Sequence, residues 1–400
     1  MATHSHTATH AHPFTAAPPH RHRTGFALRL WRSALNRFLL LPLGAVIALV
    51  WANTQPESYF RFAHALAFPV NEIAMAFFLA LIAQELHEAL MRGGALAAWR
   101  NRTMPVVAAF GGLLGSVATF LLIVAFAHER VLAAGWPVVA AVDIAASYYV
   151  IRLIYPRRAA VVAFVLLTAV VTDAVALFVT TLLSPSFGLQ PAGFALLLLA
   201  LLSAALFRRR RITSFWPYWI VSGTLSWLAL FWLGVHPALA LVPIVPLLPH
   251  DRRKGEVFAD RLDGNPIHRG EHQWNGVAQV AVFLFGLVNA GVMLGHVDTG
   301  TWAVLAAAVV GRPIGVIAAV ALATFAGLKL SGHMRWSDVV VAALATTSGF
   351  TFGLFLGAAS LPIGAVAQQI TIGALLTFTG AFVTIWVAWL LCVGRFKPAG

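Results

Sequence analysis

Long apolar runs, each about 18 to 25 residues, alternate along this chain with short polar breaks that carry most of the charge. A run of that length fits a helix crossing roughly 30 Å of hydrocarbon. It lacks the two-residue alternation of an outer-membrane strand. Twelve such segments are predicted, at about 36–53, 68–90, 104–127, 137–155, 160–183, 190–207, 215–232, 235–249, 275–295, 302–327, 338–358 and 366–393. The eighth is short and interrupted by Pro237, Pro243 and Pro246. A polar loop of mixed charge, 250–274, is the longest internal connection. The expected fold class is an all-α polytopic membrane protein with about 12 transmembrane helices, spanning residues 36–395.

Residues 1–35 precede the first span and read as a disordered, His-rich and basic tail, with six of the 15 histidines in the first 24 positions. Imidazoles this dense could hold zinc, copper or nickel, or sense pH. They show no fixed ligand geometry, and the simpler reading is a tolerated polar tail, so no metal site is assigned. The first apolar run lacks a small-residue cleavage pattern and is expected to remain as a spanning helix.

Hydrophobic residues make up 60% of the chain and charged residues 10%, far below the roughly 25% of a soluble domain. The net charge of +13 does not point to nucleic acid, because the basic residues sit at segment ends and in alternate loops. Twenty-four of the 27 Lys and Arg fall on one side of the twelve crossings, Arg61 and Arg130 fall on the other, and Arg312 lies within the tenth. By the positive-inside rule both termini are cytoplasmic. The single cysteine, Cys392, allows no disulfide within the chain. No nucleotide loop, metal-ligand cluster or nucleophile triad occurs in the spans, so neither an enzyme nor a bound cofactor is expected.

An ionisable side chain inside a membrane segment costs about 3 kcal/mol or more, and its default reading is functional. Six charges cannot easily be placed in loops: Glu72, Glu85, Glu88, Asp143, Asp173 and Arg312. Asp143 and Asp173 sit on two adjacent spans joined by the basic turn Tyr155-Pro156-Arg157-Arg158, away from the arginines and at similar depth. The eleventh span has a weak point at Thr346-Thr347-Ser348-Gly349-Phe350-Thr351, where glycine and hydroxyl residues allow unwinding. If two interrupted helices crossed, Asp143 would offset their positive ends and Arg312 their negative ends. Asp173, with the Thr172 hydroxyl beside it, supplies oxygen ligands suited to a hard monovalent cation. The same carboxylate can take a proton instead, and competition for one group is sufficient for exchange. A structural ion pair between Asp173 and Arg312 is the opposing reading. Glu85 and His87, near the basic end of the second span, read equally as a pH-responsive mouth and as a solvated helix end. Glu72 reads as structural. His236, before Pro237, reads as a local cap as readily as a pH-responsive group.

The order of these motifs resembles the NhaA-type sodium/proton antiporters over residues 36–395. Val70-Asn71-Glu72-Ile73-Ala74-Met75 is similar to the family's second-helix signature, and Glu85 to its acidic residue at the end of that helix. Val142-Asp143-Ile144-Ala145 resembles the unwound fourth helix, and Thr172-Asp173 falls on an aspartate pair, keeping the second member. Gly234-Val235-His236, Val288-Asn289-Ala290-Gly291 and Gly311-Arg312-Pro313-Ile314-Gly315 fall in family order, with arginine where a lysine is usual. Ser348-Gly349-Phe350-Thr351 resembles the unwound eleventh helix.

The resemblance implies inverted repeats, with two broken helices crossing at the midplane. It implies Asp173 and Thr172 as the ion site, and Asp143, Arg312 and Thr351 as the crossing and its charge compensation. Glu85, His87 and His236 are its candidates for a pH response. The implied partners are Na+ or Li+, H+ and the lipid bilayer, with a possible homodimer, in a bacterial inner membrane. Because one of two aspartates is replaced by Thr172 and arginine does not deprotonate, the expected cycle is electroneutral. The competing readings are a non-transporting sensor or interaction protein that keeps the fold, and a carrier of a small organic ion.

Overall fold

The computed structural model describes residues 40–90, 99–156, 158–183, 188, 190–212, 214–248, 269–330, 334–362 and 364–397. The tail 1–35 lies outside these residues, as does most of the loop 250–274. The described chain is helical. In order it forms α1 (Leu40–Thr54), α2 (Pro56–Phe68), α3 (Met75–Leu90), α4 (Trp99–Phe126), α5 (Trp136–Ala140), α6 (Ile144–Ile154), α7 (Ala159–Leu183) and α8 (Pro191–Arg209). Then come α9 (Thr224–Trp232), α10 (Arg269–Asn289), α11 (Thr299–Ala306), α12 (Arg312–Phe325), α13 (Trp336–Ala345), α14 (Phe350–Ser360), α15 (Ala365–Leu376) and α16 (Thr379–Leu390).

Six helices, two bent pairs and three shorter apolar helices account for eleven of the twelve expected segments. The eighth differs. Its residues form isolated 3₁₀ turns at Pro237–Leu239 and Val245–Leu247. Three prolines within ten residues remove too many N–H donors for an α-helix to persist. The second segment differs at its start: helix begins at Pro56, not 68, with proline in the first turn where its missing N–H costs nothing. Pro69 then falls inside the span, and the chain widens into a π-helical turn, Pro69–Ala74, before α3. Glu57, Arg61 and His64 lower the hydropathy of α2, which is why the pattern alone did not reveal it.

Backbone-to-backbone contact holds the bundle at two crossings. On α4, Gly111 and Gly115 face Gly311 and Gly315, which begin α12. A β-carbon at Gly115 would stand 2.4 Å from the Gly311 carbonyl oxygen, and one at Gly315 would stand 2.1 Å from that of Gly111. Where lipid tails are as apolar as the helices, such close approach supplies the packing energy that burial supplies in water. Gly44 on α1 and Gly286 on α10 make a second crossing, with Gly286 lying against the Leu41 carbonyl. The hydroxyl of Tyr59, fully buried, accepts from Gly291 N–H (2.9 Å) and sits 3.1 and 3.0 Å from the Leu287 and Val288 carbonyls. It thereby closes the C-terminus of α10. Leu43, Val46 and Val50 on α1, and Phe194, Leu198, Leu202 and Leu206 on α8, point outward, as a lipid-facing surface requires.

Gly115→Val should lower the melting temperature of the detergent-solubilised protein by several degrees, an overpacking cost of about 1–3 kcal/mol. Gly295→Ala, where an added β-carbon meets nothing within 4 Å, should leave it unchanged.

Candidate ion site at the crossing of two broken helices

Between α5 and α6 the helix stops for three residues, Ala141 to Asp143, and the axis turns by 53°. Between α13 and α14 it stops for Thr346 to Gly349 and turns by 45°. The two breaks touch. Asp143 N–H donates to the Ser348 carbonyl (2.6 Å). Gly349 lies so close that a β-carbon there would stand 2.7 Å from the Ala141 carbonyl oxygen. Only glycine permits that approach.

Each break exposes backbone groups that a continuous helix would have paired internally. Asp143 serves two of these ends. As the N-cap of α6, its Oδ1 accepts from Ala146 N–H (3.0 Å). Its Oδ2 accepts from the Thr351 backbone N–H (3.3 Å) and from the Thr351 hydroxyl, at the first turn of α14. One carboxylate therefore caps two helix N-termini. The Thr377 hydroxyl, at the kink between α15 and α16, accepts from Gly349 N–H (3.0 Å) and donates to the Ala374 carbonyl (2.6 Å). Arg312, 1% exposed, turns its Nη2 onto the Val139 carbonyl and the Ala141 carbonyl (2.8 Å), at the C-terminal end of α5. Its Nε and Nη1 meet no hydrogen-bond partner among the described residues.

Asp173 stands on α7, 3% exposed, beside the break. Its Oδ1 accepts from Val142 N–H (2.8 Å). Its Oδ2 is buried and accepts no hydrogen bond among the described residues. Among the described residues Arg312 hydrogen-bonds to carbonyls rather than to the Asp173 carboxylate, so the structure holds no direct Arg312–Asp173 hydrogen bond. Arg312 and Asp143 are nonetheless the charged side chains whose fields reach Asp173. Thr172, 2% exposed, donates its hydroxyl proton to the Thr168 carbonyl of its own helix (2.7 Å), which leaves its oxygen lone pairs free. Ser147 and Ser348 bring two further buried hydroxyls with no partner among the described residues.

The charge balance of this cluster is uneven. A helix N-terminus carries about half a positive charge, so the two at Asp143 offset about one negative charge. By the same measure, the one C-terminal end that Arg312 meets offsets about half of its positive charge. Asp173 has one N–H donor, and its carboxylate keeps a buried oxygen with no hydrogen bond among the described residues. Chemically, that oxygen is available to a proton or to a small hard cation.

His236 and Glu72 meet each other rather than the groups of the crossing. Nδ1 of His236 lies 3.6 Å from Oε2 of Glu72 and 3.3 Å from Ala238 N–H, and its ring centroid is 4.8 Å from that of Phe355 on α14. One nitrogen cannot both accept from Ala238 and donate to Glu72. With the Ala238 bond made, Nδ1 carries no proton and the Glu72 contact is not an ion pair. The local cap expected of His236 is present, and Glu72 faces it. His87 lies on α3, fifteen residues beyond Glu72, or about 20 Å along a helix. The side chains of Glu85 and Glu88 lie outside the described residues.

Sequence reasoning missed Asp338. This buried carboxylate accepts from the Tyr155 hydroxyl (2.8 Å), Arg158 Nη1 (2.7 Å) and Arg335 N–H (2.9 Å). An acid three residues after Arg335 at the start of an apolar run is an N-terminal helix signal, and could have drawn notice.

With this geometry, the comparisons with known proteins agree on one family. A family model described as Na+/H+ antiporter 1 matches residues 29–391. A protein named Na+/H+ antiporter NhaA from Desulfitobacterium hafniense is 35% identical over 368 residues, covering 89% of this chain and 95% of that protein. Proteins of the same name from Geotalea uraniireducens (34% over 379 residues, 92% and 98% covered) and, numbered NhaA 1, from Pelobacter propionicus (35% over 345 residues, 84% and 90% covered) are similar to it.

Thr351→Val removes a buried hydroxyl donor to a carboxylate and should destabilise the protein by about 1.5–3 kcal/mol. Asp143→Ala, which uncaps two helix ends, should lower the melting temperature further. Tryptophan fluorescence during heating in detergent measures both.

Proposed function

The chain belongs to the Na+/H+ antiporter 1 family, and from that premise we propose that it exchanges cytoplasmic sodium, or lithium, for external protons across a bacterial inner membrane. It is a transporter and not an enzyme. The single observation that carries the mechanism is the buried, unbonded Oδ2 of Asp173.

Val142 N–H holds Oδ1 and so fixes the orientation of the carboxyl group. Oδ2 then takes either a proton or a cation. The Thr172 oxygen and the buried Ser147 and Ser348 hydroxyls, on the segments that meet at the crossing, are the candidates for further oxygen ligands to a hard ion. Either occupant neutralises the Asp173 carboxylate. The empty carboxylate would carry its charge through a hydrocarbon environment at a cost of about 3 kcal/mol or more. A site that crosses only when occupied, by one proton or one monovalent cation, couples the two gradients one for one. The cycle is then electroneutral. Arg312 does not act as a second proton carrier, because a guanidinium stays protonated and its Nη2 is engaged by carbonyls. Asp143, Arg312 and Thr351 keep the crossing charge-balanced without binding the transported ion.

His236, which faces Glu72, is the first candidate for a pH response. A proton on Nδ1 gives up the Ala238 N–H and turns that nitrogen toward Glu72. Glu85 and His87, at the basic end of α3, remain the second candidates for the same role. The bias of Lys and Arg toward one side of the crossings supports a cytoplasmic location for both termini.

The test is cation-induced proton release from everted vesicles or proteoliposomes, with and without an imposed voltage. The wild type should release protons on addition of sodium or lithium, at a rate that an imposed voltage leaves unchanged. Asp173→Asn should abolish exchange while the protein remains folded. A rate that follows the voltage would overturn the one-for-one cycle. Absence of exchange with any cation would overturn antiport itself.

A further inference from the structure

Three of the helices at the crossing and the candidate ion site, α6, α7 and α13, also meet at their far ends, on the basic side. There, α6 ends at Tyr155, α7 starts immediately after Arg158, and α13 starts after Arg335. One side chain joins them. Asp338 is 1% exposed and accepts from Tyr155 through Oδ1, and from Arg158 and the Arg335 N–H through Oδ2. The Arg158 guanidinium also lies 5.8 Å from the centre of the Tyr155 ring. Arg158 remains 41% exposed, so a charged side chain screens the buried acid from the basic face.

This cluster stands well away from the candidate ion site. The eleven residues of α6 and the ten of α13 each span about 15 Å. At one end of these two helices lie Asp143 and Thr346 to Gly349, and at the other lies Asp338. The third helix, α7, carries Asp173 fifteen residues beyond Arg158, about 22 Å along its axis. Rigid helices transmit a shift at one end to the other. Removing Asp338 would leave Tyr155, 1% exposed, with an unpaired buried hydroxyl, and would free α13 to slide or rotate against α6. A displacement of even about 1 Å is large for a group that must meet one N–H and one ion.

The geometry points to Asp338 as a positioning residue for ion exchange: it fixes the basic ends of α6, α7 and α13 and so sets the register at which Asp143, Ser348 and Asp173 meet. It touches neither the cation nor the transported proton. The inference rests on the antiport reading for its kinetic consequence but not for its structural one, and the two parts are tested by separate measurements.

Full-length Asp338→Asn, Asp338→Glu and Tyr155→Phe are compared with the wild type. The kinetic measurement is proton release against sodium concentration. Asp338→Asn should raise the apparent KM for sodium about tenfold, as loss of a group supporting an ion ligand does, with the maximal rate per folded protein little changed. Asp338→Glu, which keeps the charge, should recover most of that loss. Tyr155→Phe, which removes one donor and little volume, should shift KM the same way by a smaller factor. The structural measurement is amide hydrogen exchange. Asp338→Asn should accelerate exchange at residues 141–146 and 346–351 by about tenfold, while α1 and α10 keep their wild-type protection. Acceleration confined to residues 155–158 and 335–339, or an unchanged KM with a reduced rate, would overturn the inference. If the wild type shows no exchange of ions, the antiport reading fails, and amide exchange alone decides the role of Asp338.

Discussion

Everything in this structure depends on a backbone problem. A helix broken inside a membrane exposes N–H and C=O groups where no bulk water can satisfy them, and each unsatisfied group costs several kcal/mol. Two such breaks occur among the described residues, and the protein solves both in one place, by crossing them. Asp143 supplies a carboxylate to the N-termini of α6 and α14 together, and Arg312 supplies a cation to the carbonyls that end α5. The backbones bond directly through Asp143 N–H and Ser348 C=O, and Thr377 catches the Gly349 N–H. No one of these contacts would hold an isolated broken helix. Together they make the irregular backbone a stable element of the core.

On the proposed reading, that solution leaves the ion site as a remainder. Asp143 is capped by two helix ends, whereas Asp173 keeps a buried oxygen without a hydrogen bond among the described residues. Its position, with one oxygen held by Val142 and the other free, follows from the same break that needed compensation. The proposed site lies at the edge of the crossing, beside the broken helix that Val142 belongs to. This accounts for why Asp143 and Asp173, similar in sequence context, have different surroundings: Asp143 receives three donor groups across two helix ends and Asp173 one.

The remaining helices hold the crossing in place. The glycine contacts between α4 and α12 bring backbone against backbone, and Arg312 begins α12 directly after Gly311, so this packing sets where the guanidinium enters the site. The π-helical turn Ala307–Gly311 immediately before it rotates the side chains that follow. Asp338 braces the opposite ends of α6 and α13.

The sequence by itself determined the class of the molecule and most of its spans, because length and apolarity of a segment are properties that the bilayer selects directly. It also singled out Asp143, Asp173 and Arg312, since an ionisable residue in an apolar run stands out against its neighbours. It failed where local chemistry disguised an element. α2 carries charges and reads as a loop, and the proline-rich eighth segment reads as a span yet folds into turns. It also passed over Asp338, whose place at the start of a span hides its burial. Only the tertiary structure decided which partner each charge takes. Whether Arg312 meets Asp173 or the carbonyls of α5 depends on how α12 is seated against α4 and α5, and residues 173 positions apart in the chain carry no local record of that contact. Burial is encoded residue by residue, whereas pairing is set by the packing of the whole bundle.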